Sequence, residues 1–136
     1  MAKSFPILCG SIAGSIGGMG VKMHNAAFKH LNLPYTYVSF EPETLKGAVD
    51  AMRTLNIRGL AVTMPYKQDV IQYLDDVDDM SKEIGAINTI VNTEGRLVGY
   101  NTDVYGFTKT IQKVTALENK KVVVLGAGGI AKTIIW

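Results

Sequence analysis

Arg58-Gly59-Leu60-Ala61-Val62-Thr63-Met64-Pro65-Tyr66-Lys67 is the stretch from which the rest of the chain can be read. Arg58 to Val62 is a short apolar run of the kind a buried strand needs. Pro65 follows at a position suited to the first residue of a helix, where its missing N–H would be unpaired anyway. The predicted helix carries Tyr66, Val70, Tyr73 and Leu74 inward. Upstream, Leu45, Ala48, Val49, Met52 and Leu55 make one apolar stripe on a polar cylinder, which predicts a helix over Glu43 to Leu55. A hydrophobic period that switches between 3.6 and two is the pattern of an α/β fold.

The same alternation extends outward. Phe5 to Ile12 reads as a strand that ends in the glycine-rich stretch Gly14 to Gly20. A helix is expected from Val21 to Leu31 with Met23, Ala27 and Leu31 on its inner face, and a strand from Tyr35 to Phe40. Downstream, the acidic run Asp75 to Asp79 reads as a solvated loop. Ile87 to Asn92 and Arg96 to Tyr100 read as a hairpin turning at Glu94-Gly95. Asn101-Thr102-Asp103 opens a helix whose stripe is Val104, Phe107, Thr108, Ile111 and Val114. Lys121 to Leu125 is expected to be a strand that either pairs with a second copy or stays loosely ordered.

The chain has 136 residues, 47% hydrophobic and 19% charged, with 14 glycines and 4 prolines, so it reads as globular rather than disordered or fibrous. A net charge of +2 is too even to point to nucleic acid or an anionic membrane. Cys9 is the single cysteine, which excludes an internal disulfide and a CxxC metal site. His24 and His30 fall on opposite sides of a helix, which disfavours a His-rich metal site. No apolar run reaches the roughly 20 residues of a membrane span. Pro6 and the glycines break any leader-like segment, so a reducing, cytoplasmic protein is expected.

Several residues could carry chemistry. Gly126-x-Gly128 with Ala131 follows an apolar run and precedes a helix, the context in which a glycine turn takes a dinucleotide pyrophosphate. The residue choosing between NAD and NADP would lie roughly twenty positions further on, beyond Trp136. Lys67 is expected in the first turn of the helix opened by Pro65, where the macrodipole disfavours a cation. A lysine set against that field is either snorkelling to solvent or held for acid–base chemistry. Asp103 at a helix start, like Asn101 and Thr102 beside it, is what capping alone would supply. Asn88 and Thr89 face either solvent or a cleft. Thr63 stands just past a strand's carboxyl end, where open α/β sheets bind ligands. His24-Asn25 reads as a structural pair.

Taken together, these segments resemble the shikimate dehydrogenase family. The resemblance is carried by Met23-His24-Asn25-Ala26-Ala27-Phe28, Val62-Thr63-Met64-Pro65-Tyr66-Lys67, Gly85-Ala86-Ile87-Asn88-Thr89, Gly99-Tyr100-Asn101-Thr102-Asp103 with Gly106-Phe107, and Gly126-Ala127-Gly128-Gly129, in that order. It implies a three-layer α/β sandwich with a mixed, mainly parallel sheet over residues 1–102, a connecting helix over 103–119, and from 120 to 136 the first βα unit of an incomplete Rossmann domain. It further implies NADP-dependent reduction of 3-dehydroshikimate to shikimate, with NAD as an alternative cofactor. Lys67 and Asp103 would be the catalytic pair, and Thr63 and Asn88 would bind substrate hydroxyls. Gly126, Ala127, Gly128, Gly129 and Ile130 would hold the cofactor.

Two departures from the family pattern stand out. Where a Ser-x-Ser-Pro segment usually grips the substrate carboxylate, ungapped counting gives Gly18, Gly20 and Val21, leaving Ser11 and Ser15 nearby as substitutes. Ala61 stands where an asparagine is common. Both changes are similar to the divergent shikimate-dehydrogenase-like branch. The implied partner is a small cyclitol acid, with no nucleic acid or membrane, in a monomer or homodimer. A quinate/shikimate or amino-shikimate dehydrogenase is the alternative, and a binding module without turnover is the alternative outside enzymes. The 136 residues alone are expected to be inactive.

Overall fold

In the computed structural model, which describes residues 5–136, one six-stranded sheet organises the chain in the order β2-β1-β3-β5-β6-β4. The elements are β1 (Ile7–Ile12), α1 (Met19–His30), β2 (Tyr35–Phe40), α2 (Leu45–Thr54), β3 (Gly59–Val62), a 3₁₀ helix (Asp69–Tyr73), β4 (Asp76–Val77), α3 (Asp79–Ile84), β5 (Thr89–Thr93), β6 (Arg96–Tyr100), α4 (Asp103–Ile111) and α5 (Gly129–Ile135). β1 pairs in parallel with β2 and β3, and β4 with β6, while β5 runs antiparallel to both its neighbours. The expected mixed, mainly parallel α/β architecture is the one observed. Among the described residues no helix is long and apolar enough to cross a membrane.

Alternation along the strands decides which side chains meet which helix. Ile12, Leu60, Val62, Ile90 and Leu97 turn to one face and pack with Val49 and Met52 of α2 and Val70 of the 3₁₀ helix, all at most 2% exposed. Tyr37 is in register with Cys9, one residue out of phase with Gly10 and Ile12, so it faces the other side, where α1 lies. There the His24 ring stacks on Tyr37 at 4.3 Å, and the Asn25 amide brackets the Tyr37 backbone with bonds of 2.8 and 2.9 Å. Buried Asn92 donates to Met52 O and Ile57 O, tying the end of α2 to β5. Glu94 and Gly95 both have positive φ, as a tight two-residue hairpin turn requires.

Four expectations are corrected. Met23 is 59% and Leu31 61% exposed, so the inner face of α1 is not the Met23-Ala27-Leu31 row; His24, Asn25 and Phe28 make the contact. No α-helix begins at Pro65. The Met64–Pro65 peptide is cis, Tyr66 N donates to Thr63 O, and the chain turns before the 3₁₀ helix starts at Asp69. The reason lies in the neighbours: Thr63 N is held by Ile12 O and Gly14 N by Met64 O, so the chain stays beside β1 up to the turn that Met64 opens. The acidic run is not a solvated loop but edge strand β4 and the start of α3, with Asp75 paired to Arg53 at 2.9 Å and Asp76 to Arg96 at 3.0 Å. Finally, residues 121–125 form no strand, since none of the described residues pairs with them, and Leu125 is 94% exposed.

Candidate functional site

The site lies where β3, β5 and β6 hand over to irregular chain. Lys67 follows the turn after β3, and its Nζ donates to Asp103 Oδ2 at 2.6 Å. The lysine side chain is 15% exposed and the aspartate 31%, so the pair is sheltered yet reachable. With no α-helix beginning at Pro65, the dipole argument for Lys67 does not apply. Its position comes from the sheet instead: Ile87 N donates to Lys67 O, which ties the lysine backbone to the segment entering β5.

Asp103 is the first residue of α4; the Thr102 side chain makes no cap bond there, and Asp103 N donates instead to Asn101 Oδ1. Its carboxylate turns away from the backbone: Oδ2 meets Lys67, and Oδ1 accepts from Asn88 Nδ2 at 2.8 Å. Capping therefore does not account for Asp103. The Asn88 amide is fully engaged, since Nδ2 also reaches Thr102 Oγ1 and Oδ1 accepts from Thr102 N and Thr89 Oγ1. Both carboxylate oxygens thus have a donor, a geometry that fixes the direction of the ammonium group.

A cleft of about 520 Å³ opens beside Lys67. Met64, Pro65 and Lys67 line one wall, and Gly126, Gly128, Ile130 and Ala131 line the other. Gly126 has φ +117°, a conformation L side chains rarely adopt. Ala127 lies between the two turn glycines, and α5 begins at Gly129. Three further candidates stand apart from the pair. Thr63 is exposed, held through its backbone to Ile12 O. The Ser11 hydroxyl bonds to Ser39 Oγ at 2.9 Å, and Ser15 is exposed in the loop after β1. Cys9 lines a separate cleft of about 420 Å³, and burial pushes its thiol above the ordinary range, away from nucleophile chemistry.

Residues 17–90 match the family model described as the shikimate dehydrogenase substrate binding domain. The chain belongs to the shikimate dehydrogenase family. A shikimate dehydrogenase (NADP(+)) of Pyrococcus abyssi is 46% identical over 114 residues, covering 84% of this chain and 43% of that protein. The shikimate dehydrogenase structure from Aquifex aeolicus superposes with a TM-score of 0.90 at 35% identity, over 99% of this chain and 52% of that one. Shikimate 5-dehydrogenase from Listeria monocytogenes, solved in complex with shikimate and NAD, gives a TM-score of 0.85 at 38% identity, over 95% and 46% of the two chains. The chain thus spans about half the length of the relatives it matches.

Within this shikimate dehydrogenase fold, the sequence reading singled out the paired residues Lys67 and Asp103 but undervalued Asn88 as their clamp and treated Asn101 only as an alternative cap. The signal for both was available: Asn88 directly precedes β5 and Asn101 directly follows β6, and an asparagine held against the end of a buried strand must satisfy its amide somewhere.

Proposed function

We propose that these residues are the substrate half, and the first corner of the cofactor half, of an NADP-dependent shikimate dehydrogenase. That enzyme reversibly reduces 3-dehydroshikimate to shikimate on the route to chorismate and the aromatic amino acids. The observation that carries this reading is the 2.6 Å contact of Asp103 with Lys67, which itself lines a cleft whose far wall is the glycine turn. Residues 1–102 then form the substrate domain, 103–119 the connector and 120–136 the start of the dinucleotide domain. The protein acts in the cytoplasm as a monomer or homodimer.

The turn suits a dinucleotide. A Cβ on Gly128 would meet nothing within 4 Å, so the backbone there is open to a pyrophosphate, and Gly126 supplies the bend. Gly126, Ala127, Gly128, Gly129 and Ile130 would hold NADP, or NAD in its place. When bound, the dinucleotide supplies hydride to the substrate's carbonyl carbon. Lys67 gives a proton to the oxygen of that carbonyl, and Asp103 keeps the ammonium aimed at it while accepting a hydrogen bond from the neighbouring hydroxyl. Thr63 and Asn88, the latter exchanging its bond to Thr102 Oγ1 for the substrate, bind the remaining ring hydroxyls, and Ser11 and Ser15 are the hydroxyls nearest in sequence to serve a carboxylate.

The test is Lys67→Ala in the chain carrying the complete cofactor domain. Turnover should fall by about 10²–10⁴-fold, while shikimate still binds by calorimetry. Unchanged turnover would overturn the assignment. The 136 residues alone should oxidise no NADPH with dehydroshikimate above background.

A second reading, a paralogue acting on quinate or an amino-shikimate, is favoured by Ala61 and by the Ser11 hydroxyl being tied to Ser39. Both alter the groups that would pair with ring substituents and carboxylate, and an unpaired polar group can shift specificity by powers of ten. Comparing kcat/KM across shikimate, quinate and amino-shikimate separates the two readings.

A further inference from the structure

Asn101 is 3% exposed and lies between β6 and α4. Its amide makes three bonds to three different parts of the molecule. Oδ1 accepts from Asp103 N at 3.0 Å, while Nδ2 donates to Ala86 O at 3.0 Å and to Thr133 Oγ1 of α5 at 3.2 Å. The Ala86–Ile87 peptide that receives Asn101 on its carbonyl gives its N–H to Lys67 O. One buried side chain therefore touches the backbone of Asp103, reaches the backbone of Lys67 through a single peptide unit, and grips the helix that continues from the glycine turn.

We propose that Asn101 is a positioning residue that registers the cofactor-binding helix against the Lys67–Asp103 pair; this rests on the function proposed above. Thr133 is 4% exposed, so the contact is made away from water, where directional hydrogen bonds hold position most strictly. The distance from the cofactor to the Lys67 ammonium depends on where α5 sits. A misplacement of about 1 Å between reacting groups costs on the order of 100-fold in rate. Asn101 thereby transmits the seat of α5 to the proton donor without itself touching substrate.

The experiment uses the full-length enzyme and Thr133→Val, which keeps the side-chain shape and removes the oxygen that Asn101 grips. The NADPH dissociation constant, read by fluorescence titration without substrate, should rise about tenfold, and kcat should fall about tenfold. The shikimate KM should stay within about twofold, and Thr133→Ser should restore both affected constants. Asn101→Ala should lower kcat per titrated site by about a hundredfold. A merely structural role would lower the unfolding temperature and leave both constants unchanged. Wild-type NADPH affinity and kcat in Thr133→Val, or a Thr133→Ser enzyme as impaired as Thr133→Val, overturns the proposal. Those two variants decide it even where Asn101→Ala fails to fold. An enzyme that binds NADPH but does not turn over dehydroshikimate would defeat the catalytic reading alone, and the affinity arm would still judge Asn101.

Discussion

Leu60-Ala61-Val62 and Val122-Val123-Val124 are nearly interchangeable as apolar patterns, yet they end in opposite states. The first lies between β1 and β5, with Leu60 and Val62 each 2% exposed. Among the described residues no strand pairs with the second, and Val123 is 81% exposed. Strand propensity is the same; pairing differs. Apolar residues become a strand only where other chain supplies the ladder bonds and the covering face. What distinguishes the two regions is thus the number of partners around each.

The contrast can be broken from either side. Leu60→Ala leaves a cavity in the closed core and should cost about 2–5 kcal/mol, whereas Val123→Ala should change urea unfolding by less than about 0.5 kcal/mol. Equal costs would mean that residues 121–125 are packed after all. Asn92→Ala should come next, at about 1–3 kcal/mol, because it removes the donor to Ile57 O and the acceptor of Gly95 N, while Met52 O keeps the Ile57 N–H; an unfolding midpoint equal to wild type would deny that link.

The smallest effect is expected at the sheet's charged edge. The Leu97 N–H and then Arg53 hold Asp75 below the usual carboxylate range, and the Val77 N–H and then Lys82 do the same for Asp76. A carboxylate depressed in the folded state lends stability above its unfolded value and loses it as pH falls through the folded one. Wild-type stability should therefore fall below about pH 4, and Asp75→Asn should flatten that fall. A pH–stability curve of unchanged slope would refute the assignment.

Much of the sheet was legible because burial on one face leaves a period of two and α2 leaves a period near 3.6. What escaped did so for particular reasons. α1 packs on an edge strand through a histidine ring and an asparagine amide, polar groups that any count of apolar residues places outward. Asp78 accepts from Ser81 N, and Gly85 closes α3 with φ 69°, so that helix carried a cap and a stop. Its acidic composition hid both. Pro65 has two structural uses, and choosing between them required knowing that Thr63 and Met64 are held along β1. At the site, Lys67 and Asp103 stand 36 residues apart, and no local pattern joins them. The family resemblance paired them, and the sheet carries out that pairing through Ile87 and Asn88.

The amide of Asn25 on the backbone of Tyr37 has a consequence beyond the packing of α1. β2 is one outer strand of the sheet, and at Tyr37 both its N–H and its C=O are already taken. The opposite outer strand, β4, is two residues long and carries Asp76 between two cations. An open sheet invites a stranger's backbone at each margin. Here one margin is interrupted at Tyr37 by a side chain imitating a peptide, and the other is brief and charged, so both work against edge-to-edge growth into fibres.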